Sequence, residues 1–84
     1  MHQVEGKYLD KYFYLNADQP FNYSTWQAPI HWTGIVNGKQ VEFTQIHNHA
    51  SDLICFDWSD FPDELEIAKT YIVKEIDRAM RVMD

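Results

Sequence analysis

Asn37-Gly38 separates two stretches in which apolar and polar residues alternate, within residues 28–47 (APIHWTGIVNGKQVEFTQIH). Asn and Gly both tolerate the positive φ that a two-residue type I′ turn requires at its two central positions. That makes the dipeptide the strongest short-range signal for a β-hairpin. A two-residue turn also leaves no freedom in pairing. Val36 must face Lys39, Gly34 Val41, Trp32 Phe43 and Ile30 Gln45. Ile30, Trp32, Val36, Val41 and Phe43 then share one side, while His31, Thr33, Ile35, Gln40, Glu42, Thr44 and Ile46 share the other. The first is the expected core face. Gly34 beside Trp32 is expected to leave room for the indole or for a closely packed helix.

The remaining segments are organised around this hairpin. Residues 1–6 are polar and expected to fray. Residues 7–15 (KYLDKYFYL) are rich in strand-favouring aromatics and read as one strand, with Tyr8, Tyr12 and Tyr14 on a common face. Residues 16–27 form a turn-rich connection whose Phe21, Tyr23 and Trp26 are expected to pin it to the core. After a polar link at residues 47–52, residues 53–58 (LICFDW) are apolar on both faces except for Asp57. That pattern points to a central strand. Asp60 before Phe61-Pro62-Asp63-Glu64 has the form of a helix start, with Asp60 as the cap and acids at the positive end of the dipole. The spacing of Leu65, Ala68, Ile72, Ile76, Ala79 and Met83 predicts one amphipathic helix over residues 61–83, widened by Tyr71 and Met80. An Asp77–Arg81 pair should support its last turns. The expected fold is α+β, an antiparallel sheet of three to four strands (β-β-β-β-α). Its Trp32/Phe43 face is covered by the C-terminal helix. With 84 residues there is room for a single domain spanning 1–84.

Charge narrows the classes of function. Thirteen acidic against seven basic side chains give a net charge of −6, and the acids run along the whole chain. Such a field repels phosphate backbones and disfavours direct nucleic-acid binding, while it attracts a basic partner. Lys74, Arg78 and Arg81 are the one basic stripe, and they read as a complement to the helix dipole. The longest apolar runs are four residues, too short for a membrane helix or signal peptide. A single cysteine, Cys55, fits a reducing compartment, so the expected location is cytoplasmic.

The candidates for chemistry are sparse. His47 and His49, with Cys55 downstream, are the weak candidates for a metal site, since a His-x-His on a strand can send both rings to one side. The spacing matches no zinc pattern, and Cys55 sits in an apolar strand where a thiol is usually a small buried hydrophobe. A Cys55–His nucleophile pair lacks a neighbouring cation or helix start to lower the thiol pKa. His31 with Glu42 and Thr44 could in principle serve as acid and base in RNA cleavage, yet only Lys39 is near to meet a phosphate. The tripeptide His47-Asn48-His49 lacks the ββα spread that the nuclease motif of that name requires. No Gly-rich phosphate loop is present. No catalytic residue, cofactor or metal is therefore expected.

What remains is surface physics. Five Tyr, five Phe and three Trp are more rings than one small core hides. Aromatics as anchors and carboxylates that steer approach are what a protein uses to grip a basic protein. The expected function is a small acidic, non-enzymatic inhibitor or antidote. Its partner is expected to be a nuclease or other nucleic-acid-acting enzyme, in the manner of immunity proteins and phage-borne anti-defence proteins. The candidate contact residues are Tyr8, Tyr12, Tyr14, His31, Thr33, Ile35, Glu42 and Thr44. The alternatives are a metal-binding domain or enzyme using the His47/His49/Cys55 region, and a homodimer that closes over its own open sheet face.

Overall fold

The computed structural model describes residues 3–19, 29–48 and 53–81. Five strands form one sheet: β1 (Gln3–Tyr8), β2 (Lys11–Ala17), β3 (Ile30–Val36), β4 (Lys39–Asn48) and β5 (Leu53–Asp57). Their spatial order follows their chain order, and every neighbouring pair is antiparallel. A 3-10 turn (Asp63–Leu65) leads into the single helix α1 (Glu66–Met80). The architecture is α+β, with five strands where three or four were expected.

The additional strand comes from residues 7–15, which are not one strand but the heart of a second hairpin. Leu9 and Asp10 form its two-residue turn, with φ of 45° and 69°, and Tyr8 pairs with Lys11. This is the same left-handed backbone that Asn37 and Gly38 adopt in the β3–β4 turn, with φ of 50° and 79°. Leucine is a poor residue for that region, so the turn carries no sequence signature. The reversal reaches back to Gln3, which pairs with Asn16. The expected fraying of residues 1–6 therefore gives way to a strand from Gln3 onward. It also reassigns Tyr8. A two-residue turn places residue 8 on the side of residue 11, hence with Phe13 and Leu15, and Tyr8 is buried in the core while Tyr12 and Tyr14 stay outside.

The β3–β4 register is the expected one, pair for pair. Its inner side meets Leu65 of the 3-10 turn and Ala68, Ile72, Ile76 and Met80 of α1 to form a continuous core with Val4, Phe13, Leu15, Trp32, Val36 and Phe43. Met80, expected to widen the stripe, is fully buried, Ala79 is only half-buried, and Met83 lies outside the described residues. Gly34 serves neither the indole nor the helix. A Cβ there would collide with the backbone carbonyl of Tyr14, so glycine permits the close approach of β2 to β3.

Gln45 is the one buried polar side chain among the described residues. Its Oε1 accepts the Trp32 indole N–H at 2.9 Å and its Nε2 donates to Met80 Sδ at 3.0 Å. Both ends of the amide are thus satisfied, as burial demands.

Two further expectations change. β5 is an edge strand, not a central one. Its double-sided apolar character has two sources: Phe56 packs inward against Phe43 and Trp58, and Cys55 stands beside Ile46 outside. The helix start is not capped by Asp60. Pro62 occupies the cap position of the 3-10 turn and makes no side-chain cap bond. Instead, the Phe61 amide bonds to the Trp58 carbonyl at 2.9 Å, and Phe61 locks edge-on to Trp58 with centroids 5.0 Å apart. An ion pair between Lys39 and Glu64 ties the β3–β4 turn to this segment. The Asp77–Arg81 pair is present at 2.9 Å. The aromatic connection at residues 20–28, including Phe21, Tyr23 and Trp26, lies outside the described residues.

Candidate functional site

One helix covers one sheet face, and the opposite face has no cover among the described residues. Strand alternation decides who stands on it. The pairing lays its residues out in rows across the strands: Glu5, Tyr14, Ile35 and Gln40 in one, Gln3, Asn16, Thr33 and Glu42 in the next, then His31, Thr44 and Asp57. Lys7 opposes Tyr12 at one end, with its ammonium 5.5 Å from the ring centroid, and Ile46 opposes Cys55 at the other.

Large apolar groups are unusually open here. Tyr12 is 70% exposed, and Tyr14, Ile35 and Ile46 are each about 40% exposed. Seven of the eight expected contact residues, Tyr12, Tyr14, His31, Thr33, Ile35, Glu42 and Thr44, therefore share one face. Tyr8 does not belong to it.

Acids border the apolar band. Glu42, Asp57 and Asp60 line a shallow depression of about 240 Å³ together with His31, Thr33 and Thr44. A second depression, about 600 Å³, runs on from Thr33, Ile35, Gln40 and Glu42 to Asp60. Asp18 joins the rim by a reciprocal pair of bonds. Its amide donates to the His31 carbonyl at 3.1 Å, and its carboxylate accepts the His31 amide at 3.1 Å. Asp57 accepts from both the hydroxyl (2.7 Å) and the amide (3.0 Å) of Ser59, and these bonds, the hydroxyl first, hold its pKa below the usual carboxylate range. Alternation in residues 53–58 would have marked Asp57 as outward. Nothing in the sequence shows that Asp18 and Asp60, from two separate connections, join Glu42 and Asp57 around this face.

As a reaction centre the face offers little. His31 Nδ1 lies 3.4 Å from Thr44 Oγ1, and no ion pair joins His31 to Glu42. Among the described residues no group of three or more His, Cys, Asp or Glu converges in a way that could hold a metal ion. In the ladder His47 stands opposite Ile54, one step from the Ile46–Cys55 pair. Its side chain and the whole of His49 lie outside the described residues. No described helix is long and apolar enough to cross a membrane. Comparison of the chain with family models, curated proteins and solved structures finds no match.

Proposed function

We propose that this protein is a non-enzymatic inhibitor or antidote that grips a basic protein, such as a nuclease or another nucleic-acid-acting enzyme, with its open sheet face. One observation supports the reading above all. Tyr12, Tyr14 and Ile35 are exposed side by side at one end of a face that also carries Glu5, Asp18, Glu42, Asp57 and Asp60, with Ile46 exposed at its other end. Exposed rings and branched chains in one patch supply anchors that gain by leaving water. The surrounding carboxylates, within a net charge of −6, steer a cationic surface and discourage acidic competitors. The rigid ladder beneath holds the anchors in place, so little ordering entropy is lost on docking.

The test is affinity capture from the native host with the tagged wild type and with an Ile35→Asp/Tyr14→Ala variant. A stoichiometric basic protein should be retained by the wild type, weaken as salt is raised, and be lost from the variant. Recovery of no stoichiometric partner, or of one insensitive to both changes, would sink the proposal.

A further inference from the structure

On the basis of the protein-binding role proposed above for the outer sheet face, we infer that its partner presents arginines to the Glu42–Asp57–Asp60 end and an apolar cluster to the Tyr12–Tyr14–Ile35 end. Charge is divided unequally between the two sides of the molecule. Residues 63–81 hold five acids and four cations, and Lys39 supplies a fifth cation by pairing with Glu64. Glu66 pairs with Lys69, Glu75 with Arg78 and Asp77 with Arg81. The helix layer is therefore neutral. Asp10 and Lys11 cancel at the β1–β2 turn. On the outer face Glu5, Asp18, Glu42, Asp57 and Asp60 meet one ammonium, Lys7, which stands over the Tyr12 ring. Among the described residues none of these five acids forms an ion pair. Five acids against one cation leave −4 on this face, which is the whole net charge of the described residues.

That asymmetry names the occupant. Salt at 0.1 M screens charge beyond roughly 10 Å, so an approaching surface responds to the side it meets rather than to the whole chain. A cationic protein is drawn to the sheet and not to the helix. The acid end is also shaped for guanidinium. Its depression of about 240 Å³ offers the carboxylates of Glu42, Asp57 and Asp60 beside the hydroxyls of Thr33 and Thr44. A guanidinium carries five donors in one plane and no acceptor, so it can bond several of these groups at once, whereas an ammonium is a point charge. Ile35 and His31 are four residues apart on β3, roughly 13 Å at 3.3 Å per residue, so one patch of a partner spans both ends.

The isotope-labelled full chain, titrated at low salt with acetyl-tetra-arginine amide, should show amide shifts at residues 31–33, 42–44 and 57–60. Residues 66–80 should not move, although both sides hold five carboxylates. Glu42→Gln/Asp60→Asn should weaken binding at least threefold and flatten its salt dependence, while Glu66→Gln/Glu75→Gln should do neither. Tetra-lysine should bind at least threefold more weakly. A tryptophan added after a three-glycine spacer, about 13 Å from the last arginine when extended, should tighten binding to the wild type but not to Ile35→Asp. Shifts spread over both sides, equal binding of tetra-lysine, a tryptophan that adds nothing, or indifference to Glu42→Gln/Asp60→Asn overturns the inference. A captured partner that ignores Glu42→Gln/Asp60→Asn sinks it while leaving the inhibitor reading intact. Peptides that behave as expected, with no partner captured, support the recognition chemistry and cost only that reading.

Discussion

Gln45 holds together three parts of the core by itself: β3 through Trp32, α1 through Met80 and its own strand. Replacing it with leucine removes the acceptor of a buried indole N–H. The expected cost is about 1–3 kcal/mol, read as a lower urea midpoint with an unchanged slope. The alternation around Asn37-Gly38 puts residue 45 inward. Only the indole and the thioether explain why a glutamine is accepted there. Asp57 supplies the pH dependence at this scale. Its folded pKa is depressed, chiefly by the Ser59 hydroxyl and then by the Ser59 amide. The contribution is therefore full above the pKa of the unfolded chain and is lost as pH falls through the lower folded value. Ser59→Ala should move the Asp57 pKa back towards the usual range in a carboxyl-carbon NMR titration, leaving the backbone bond as the residual cause.

The two tight hairpins share one backbone geometry, yet only one is written in turn residues. Asn37-Gly38 adopts positive φ at little cost, and Asp10 tolerates it, whereas Leu9 adopts it against preference, at roughly 1–2 kcal/mol. What holds the second turn closed lies on either side of it. Tyr8 and Phe13 are buried, and Tyr8 stacks at a tilt on Tyr71 of α1 with centroids 5.8 Å apart. Leu9 is itself 58% exposed and has little packing to lose. Leu9→Asn with Asp10→Gly should therefore stabilise the protein by about 1–2 kcal/mol, measured as a rise in Tm of several degrees. A fall in Tm would show that the leucine makes a contribution its exposure conceals. The same contrast explains why one hairpin could be read from the chain and the other could not. Local turn chemistry announces the first, and distant contacts enforce the second.

Across the whole molecule the charge of −6 and the sheet face that the described residues leave uncovered pull in opposite directions. Repulsion between copies keeps the exposed Tyr12, Tyr14 and Ile35 apart, so solubility should be lowest near the isoelectric pH of about 5 and should recover by pH 7. A turbidity scan against pH checks this, and a flat profile would mean that the apolar band is not what limits solubility. The chain by itself determined the β3–β4 register and the inner and outer faces of that hairpin. It also determined the apolar stripe of α1 and the Asp77–Arg81 pair. Each of these follows from spacing along a single element, where a period of two or of 3.6 and one turn of known geometry suffice. Tertiary structure alone decided that Tyr8 is core, that β5 is an edge and that Gly34 serves the β2 backbone. It alone gathered Asp18, Glu42, Asp57 and Asp60 from separate segments around one face. Those outcomes depend on which strands become neighbours, and that is settled by the joint burial of side chains far apart in sequence.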